Sequence, residues 1–276
     1  MFEKTLIPVA YGERPEELRK IGTILRDLGA CSVCLFHVNE PGSFFRNSGL
    51  SWLTLLQEAL EEAGLSVETK TGNGHIASSI AETALMEGAD EIFMRAKRRW
   101  HIGTILLGSV SQDLLRLSDV PVFVQKIRPR MPGDHAGFSR EDLTVLYATD
   151  FDEASERLVS YVMEFQGARC HVLHVRGRMA DPSTEKKRKR FVGEKLYTVE
   201  ETLRPYFQEV SSEERIGDPA AEVLNVSDQI HADIVVLGRK SPSFLSAPMG
   251  NTPERVVNES KASILLVPHP RGRHVS

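Results

Sequence analysis

The chain has 276 residues, a formal net charge of −4, 41% hydrophobic residues and 26% charged residues, which suits two globular domains and excludes a disordered chain. The net acidity argues against a general nucleic-acid binder, which usually carries a strongly basic face. No apolar run approaches the ~18 residues that span a bilayer, so we expect no membrane span and, given the acidity, no nucleic-acid partner. The first residues lack a signal-peptide pattern, and three cysteines make no disulfide framework. We therefore expect a cytoplasmic protein.

Short apolar runs alternate with longer helical patterns along the first half of the chain. Strands are predicted near residues 4–10, 31–38, 65–70, 91–95 and 121–126, and helices near 14–28, 50–63, 75–87 and 107–117. This alternation predicts a doubly wound parallel sheet, and runs that are apolar throughout predict strands buried on both faces. Cys31 and Cys34 fall in the second run and are predicted to be buried structural thiols. Residues 72–75 are predicted to form a turn before a helix.

The second half of the chain repeats the first at an offset of about 140 residues. Residues 35–38 match 172–175, and residues 89–95 match 232–238. We therefore predict one domain over residues 1–127, a linker over 128–140 and a second domain over 141–276.

A basic run at residues 186–190 (KKRKR) distinguishes the second copy and precedes a helix predicted over residues 191–209. This run could bind phosphate or nucleic acid, or it could be the solvated first face of a surface helix. The net acidity of the chain favours the solvated face.

Long basic loops rich in Gly and Ser follow the fourth strand of each copy, at residues 95–111 and 238–253. In open α/β sheets, ligands bind beyond the carboxyl ends of the strands. Both loops lead into a helix, whose free N–H groups and macrodipole favour an anion. The loops therefore suit a phosphate site, and they suit equally well an ordinary turn with an N-cap serine.

His37 and His174 close the second strand of their copies. We predict that both are hydrogen-bonded structural residues and not ligands. The sequence has no zinc-site spacing, no nucleophile elbow and no Walker motif, so no catalytic residue and no metal site is expected.

Four short segments carry a resemblance to a known family: 107–111 (LGSVS), 119–124 (DVPVFV), 148–151 (ATDF) and 217–220 (GDPA). Through them and the repeat, nearly the whole chain resembles a tandem universal stress protein. The resemblance implies an α/β fold of two tandem doubly wound, mostly parallel five-stranded sheets with helices on both faces, of the adenine-nucleotide alpha hydrolase-like or Rossmann-like type. It also implies an adenine-nucleotide site, built from an Asp after the first strand and the loop G-x-x-G-x(9)-G-[S/T].

The second copy matches this pattern better than the first. Asp150 and Gly238 are in place, whereas Ser241 replaces the second glycine and Asn251 stands at the hydroxyl position. The resemblance implies that ATP or AMP binds here, alone or with Mg²⁺. Asp150 would accept a hydrogen bond from the nucleoside, and Gly238 would let the backbone approach the phosphates. The implied nucleotide-binding residues are Ala148, Thr149, Asp150, Val175, Leu237, Gly238, Arg239, Ser241, Gly250, Asn251 and Thr252.

The first copy departs further from the pattern. Ala10 occupies the aspartate position, and Arg95 and Arg98 replace the first two loop glycines. These arginines add bulk, but they could also grip an anion with their side chains. The implied degenerate site consists of Val38, Arg95, Arg98, Gly108, Ser109, Val110 and Ser111.

The function implied by the resemblance is a stress-response or regulatory one, with an unidentified protein partner and at most slow ATP hydrolysis. A nucleotide-independent interaction scaffold with decayed loops is the alternative. An enzyme of a related adenine-binding fold is a third option, against which the missing catalytic motifs count. The last strands, residues 120–126 and 264–267, would be exposed edges if unpaired, so an intrachain pseudo-dimer is expected and a homodimer stays open.

Overall fold

The computed structural model of the chain describes residues 2–39, 48–96, 107–126, 138–152, 155–177, 182–239 and 250–269. The chain divides into two compact units. The first unit holds the described residues up to Arg95 together with Leu107–Gln125 and Phe138. The second unit holds those from Ser139 onward together with Ala96 and Lys126. Most of the predicted linker lies outside the described residues.

Within the described ranges, the first unit is a five-stranded parallel sheet with four helices. Its strands are hydrogen-bonded in the order β3-β2-β1-β4-β5. Its elements are β1 (Lys4–Pro8), α1 (Pro15–Asp27), β2 (Ser32–Asn39), α2 (Ser48–Glu61), β3 (Ser66–Asn73), α3 (Ile76–Met86), β4 (Glu91–Arg95), α4 (Ser109–Leu117) and β5 (Val122–Gln125).

The second unit repeats this topology. Its strands follow the order β10-β9-β6-β7-β8, and every ladder within it is parallel. Its elements are β6 (Thr144–Thr149), α5 (Ser155–Met163), β7 (Arg169–Arg176), α6 (Pro182–Leu203), β8 (Glu209–Ile216), α7 (Pro219–Gln229), β9 (Ile234–Arg239), α8 (Asn251–Glu259) and β10 (Ser263–Pro268).

The strand order explains why the central strands are apolar throughout. In each unit the chain moves outward for two strands and then reverses, so right-handed crossovers place the helices on both faces of the sheet. Accordingly α1 packs against α2, and α3 packs against α4. Leu6 and Ile7 of β1 and the run Ile234–Leu237 of β9 are buried. The predicted doubly wound α/β fold is confirmed, and none of the helices in the described ranges has the length and apolar character needed to cross a membrane.

Two predicted elements differ from the structure by more than two residues at an end. The strand predicted near 65–70 continues to Asn73, so Gly72 and Asn73 belong to β3 and not to a turn, because they pair with Val38 and Asn39 at the end of β2. The helix predicted over 191–209 is also wrong at both ends. α6 begins at Pro182 and ends at Leu203, since Pro205 disfavours further helix.

One predicted burial is wrong. Cys34 lies inside β2 and is buried, and burial raises the pKa of its thiol to about 11. Cys31, however, is exposed. It precedes the first residue of β2, so it lies in the loop that enters the sheet and outside the packed layers.

Candidate functional site

The strand registers show which positions of the two units are equivalent. Thr5 of β1 pairs with Glu91 of β4, and Val145 of β6 pairs with Ile234 of β9. Counting along the strands, Ala10 corresponds to Asp150 and Arg95 corresponds to Gly238. The two edges can therefore be compared residue by residue.

In the second unit, three neighbouring strands bring most of the predicted site residues to one edge of the sheet. Ala148 pairs with Leu237 across β6 and β9, and Thr149 pairs with His174 across β6 and β7. Adjacent parallel strands lie about 4.8 Å apart, so their carboxyl ends form one continuous surface. The predicted residues at this edge are Ala148, Thr149, Asp150, Val175, Leu237, Gly238 and Arg239.

Asp150 leaves the sheet in a tight turn. Oγ1 of Thr149 accepts from the N–H of Phe151 at 3.1 Å, and Oδ1 of Asp150 accepts from the N–H of Asp152 at 3.2 Å. Phe151 has φ 56°, a left-handed conformation that is uncommon for a residue with a side chain. α5 begins only at Ser155, so Asp150 stabilises this turn and is not the N-cap of the helix. Its side chain is exposed at the edge of the sheet.

His174 contacts this turn through its imidazole ring. Its Nδ1 lies 2.9 Å from the carbonyl oxygen of Thr149, and its ring stacks on Phe151 with 4.8 Å between centroids. In the first unit, Nδ1 of His37 makes the same 2.9 Å contact with the carbonyl oxygen of Val9. The prediction that both histidines are hydrogen-bonded structural residues is confirmed.

Gly238 lies against the imidazole of His269, a residue that the sequence patterns did not indicate. A Cβ at Gly238 would come within 2.6 Å of Nε2 of His269, so no larger residue fits unless the imidazole moves. The N–H of His269 donates to the carbonyl of Arg239 at 2.8 Å, and its Nδ1 lies 3.5 Å from Oδ2 of Asp152. The only sequence signal for His269 is its place directly after the last strand, at the same edge.

The predicted residues differ in how much surface they present. Thr149, Leu237 and Arg239 are buried, and the Arg239 side chain is among the largest fully buried ones. Asp150 and Asn251 are exposed, while Ala148, Val175 and Thr252 are half-buried. Ser241 lies outside the described residues.

The start of α8 requires a glycine. Gly250 is its N-cap with φ 101°, a conformation that side chains disfavour. Because glycine has no capping side chain, the first N–H groups of the helix need another acceptor.

A side-chain contact joins α8 to α7. Nη1 of Arg255 lies 2.6 Å from Oδ1 of Asp218. This same oxygen caps α7 by accepting from the N–H of Ala221 at 2.9 Å. The backbone hydrogen bond from Ala221, aided by Arg255, lowers the pKa of Asp218. The segment 217–220 that carried the resemblance therefore has a structural role.

An ion pair stands at the equivalent edge of the first unit. Nη2 of Arg95, at the position of Gly238, lies 2.6 Å from Oε2 of Glu17 on α1. Burial would raise the pKa of Glu17, but the hydrogen bond and charge of Arg95, with those of Lys20, lower it overall. Arg95 is therefore committed to an ion pair, and Arg98 lies outside the described residues.

The remaining first-unit candidates include no second aspartate. Ala10 is exposed where Asp150 stands in the other unit, and Val38 is buried. Gly108 caps α4 with φ −68°, which any residue can adopt. Gly108, Ser109 and Val110 are exposed and Ser111 is half-buried.

Aromatic rings also pack against one another at this edge. The rings of Tyr11 and Trp52 lie 5.4 Å apart, and those of His37 and Trp52 lie 5.5 Å apart. The indole N–H of Trp52 donates to the carbonyl of Glu13 at 3.0 Å. Within the described ranges, no group of three His, Cys, Asp or Glu side chains is placed to hold a metal ion.

Several solved structures are similar to the chain. A universal stress protein from Archaeoglobus fulgidus DSM 4304 aligns at 20% identity and TM-score 0.70, over 98% of this chain and 99% of that one. A functionally unknown protein from Pseudomonas aeruginosa PAO1 aligns at 18% identity and TM-score 0.70, over 97% and 93%. A universal stress protein solved in complex with cAMP aligns at 18% identity and TM-score 0.38, over 47% of this chain and 99% of its own. No curated protein sequence matches the chain.

The profile of the universal stress protein family matches the chain twice, at residues 19–126 and 143–268. These two segments cover most of the chain, and each falls on one α/β repeat of the fold. The chain belongs to the universal stress protein family, with two family domains in tandem.

Proposed function

We propose that this protein is a stress-response regulator that binds an adenine nucleotide, ATP or AMP, in its second unit and has little or no catalytic activity. One observation carries the proposal, namely the contrast between equivalent strand ends. Asp150 and Gly238 stand where the first unit has Ala10 and Arg95, and Arg95 is paired with Glu17.

Asp150 supplies the specific contact in this proposal. Its carboxylate is exposed, and a carboxylate has about four acceptor sites. The N–H of Asp152 donates to Oδ1. In the proposed complex, a ribose hydroxyl or an adenine amine would donate to the same exposed carboxylate. Ala148 and Val175, half-buried at the same edge, would flank the base.

The phosphates would lie toward the start of α8. The positive φ of Gly250 sets the approach to the helix, and the N–H groups of its first turn, with Asn251 and Thr252, would donate to phosphate oxygens. Because Gly238 has no side chain, phosphate oxygens could approach its backbone. The imidazole of His269 lies at that place in the structure, so phosphate binding would require the ring to move.

That position of His269 is the observation that favours the alternative function. If the imidazole stays over Gly238, a side chain occupies the same strand end in both units, Arg95 in the first and His269 in the second, and the chain would be a nucleotide-independent interaction scaffold. The two functions differ in one measurable property, which is stabilisation of the fold by a nucleotide.

Thermal melting with excess ATP and AMP, each with and without Mg²⁺, tests the proposal. A ligand that binds only the folded state, at about 100 times its Kd, stabilises it by about 2.7 kcal/mol. We expect a shift that disappears in Asp150→Ala and survives in Ser109→Ala. Asp142→Ala is the matched control, because Asp142 is exposed and precedes β6 at the opposite edge of the same sheet. No shift for the folded wild type at millimolar nucleotide would support the scaffold.

The cellular setting and assembly are parts of the same proposal. Cys31, Cys34 and Cys170 are free thiols, as in proteins of the reducing cytoplasm. We propose that nucleotide occupancy alters the binding of a regulatory protein partner. The intrachain pseudo-dimer and a homodimer stay predictions, and sedimentation equilibrium with and without nucleotide tests the homodimer.

A further inference from the structure

The first turns of α6 carry the largest run of positive charge in the sequence. Residues 186–190 are five consecutive cations, and each of them is exposed. Glu185, just before them, is held by the buried Arg176, whose Nη1 donates to Oε2 of Glu185 at 3.0 Å. Val192 is the first residue after them that is buried. We call residues 186–190 the basic turn.

All five side chains of the basic turn are exposed, and Phe191 after them is 56% exposed. Successive helical residues are about 100° apart around the axis, so the five side chains point in different directions. Glu185 and Val192, seven residues apart, lie on the face of the helix that is turned to the unit. Cations at spacings of three and four residues repel one another and weaken the helix, although Arg190 also pairs with Glu194, with 2.9 Å between Nε and Oε1. Helix stability therefore does not explain the run of five cations.

We propose that the basic turn is the docking site for a short, flexible acidic segment of a partner protein. A flat anionic membrane or a rigid duplex would contact one side of the helix and only some of the five cations. A flexible chain can bend over the exposed sides of the helix and reach more of them. Charge complementarity thus favours a flexible polyanion.

The charge of the whole chain favours a short peptide over a long single-stranded nucleic acid. Without the basic turn the chain would have 29 Lys and Arg against 38 Asp and Glu, a net charge of −9. Screening confines attraction to about 8 Å at physiological salt, so a long polyanion would extend beyond the basic turn into a repulsive field. Nζ of Lys195 also lies 5.9 Å from the ring centroid of Phe191, on one of the faces on which a base would stack.

Fluorescence anisotropy of the full chain with a labelled peptide of alternating Glu and Asp tests this docking site. The test variant replaces all five cations of the basic turn by Gln. The matched control replaces five exposed cations elsewhere by Gln, so that both variants have the same net charge. The control positions are Arg14, Arg19, Lys20, Arg204 and Lys261.

We expect the basic-turn variant to bind the peptide at least about tenfold more weakly at about 50 mM salt, and the control to stay within about twofold. Thermal melting should show that the basic-turn variant is at least as stable as the wild type, because repulsion within the helix is removed. An equal loss in both variants, or no binding to the wild type, would overturn the proposal. Tighter binding of oligothymidylate or of phosphatidylserine vesicles than of the peptide would overturn it as well.

Discussion

Glu91 provides the sharpest test of the packing of the first unit. It is the first residue of β4 and is 1% exposed. Oγ1 of Thr5 donates to its Oε1 at 3.1 Å, whereas Oε2 has no hydrogen-bond partner among the described residues. Burial, with a smaller contribution from the charge of Asp90, raises the pKa of Glu91 to about 8, although the bond from Thr5 lowers it. The carboxyl is therefore neutral in the folded protein at pH 7.

This raised pKa makes the stability of the first unit fall as the pH rises. Below the ordinary pKa of 4.5, both the folded and the unfolded chain hold the proton, so the titration of Glu91 does not change the free energy of unfolding. Between pH 4.5 and 8, the unfolded chain releases the proton while the folded chain keeps it, so the free energy of unfolding declines. A difference of roughly 3.5 between the two pKa values corresponds to up to about 5 kcal/mol by pH 8, and to about 3 kcal/mol at pH 7.

The substitution Glu91→Gln keeps the acceptor for Thr5 and removes the titration. We expect it to raise the free energy of unfolding by about 3 kcal/mol at pH 7 and to flatten its pH dependence between pH 5 and 8. Urea unfolding followed by Trp52 fluorescence, in a Trp100→Phe background, reports on this unit. Glu58→Gln is the control, because Glu58 is exposed on α2. An unchanged pH profile in Glu91→Gln would refute the reasoning.

Two further predictions concern the second unit and its comparison with the first. Arg176→Met removes the guanidinium that contacts Glu185 and Glu214, and it should lower the free energy of unfolding by about 3 kcal/mol because two half-buried carboxylates lose their counter-ion. A loss below about 1 kcal/mol in chemical unfolding would contradict this. Gly250→Ala should cost at least about 1 kcal/mol more than Gly108→Ala, because Gly250 has φ 101°, whereas Gly108 has φ −68° and open space for a Cβ. Both glycines are N-caps, so both substitutions lose the same capping preference. Equal effects in thermal melting would count against the backbone argument.

Hydrophobic patterning sufficed to predict the strands and helices of the first copy. Leu6 and Ile7 of β1 and Ile92 and Phe93 of β4 are buried, and burial on both faces of a sheet leaves an unbroken apolar run in the sequence. Edge strands do not leave one. β3 reads SVETKTGN, and its last two residues are strand because β2 offers them backbone partners. Their assignment depends on a neighbour that is distant in sequence.

The candidate site was less accessible to sequence reasoning. The resemblance indicated Asp150 and Gly238 because they stand at fixed places after strands. It could not indicate His269, which reaches Gly238 only because β9 and β10 are paired. Nor could it show that Arg95 pairs with Glu17, since either residue alone is an ordinary surface charge.

The two copies make the same side-chain contact at the amino ends of their strands and different contacts at the carboxyl ends. At the amino edge, Oδ2 of Asp90 accepts from the N–H of Lys4 at 2.9 Å, and Oδ2 of Asp233 accepts from the N–H of Thr144 at 3.0 Å. The same contact in both units marks a requirement of the fold.

At the carboxyl edge, Arg95 pairs with Glu17 while its counterpart Gly238 lies under His269. Both edges are compatible with an intact sheet, so the fold does not dictate which residue stands there. The nucleotide titration of Asp150→Ala measures whether ligand binding distinguishes the two edges.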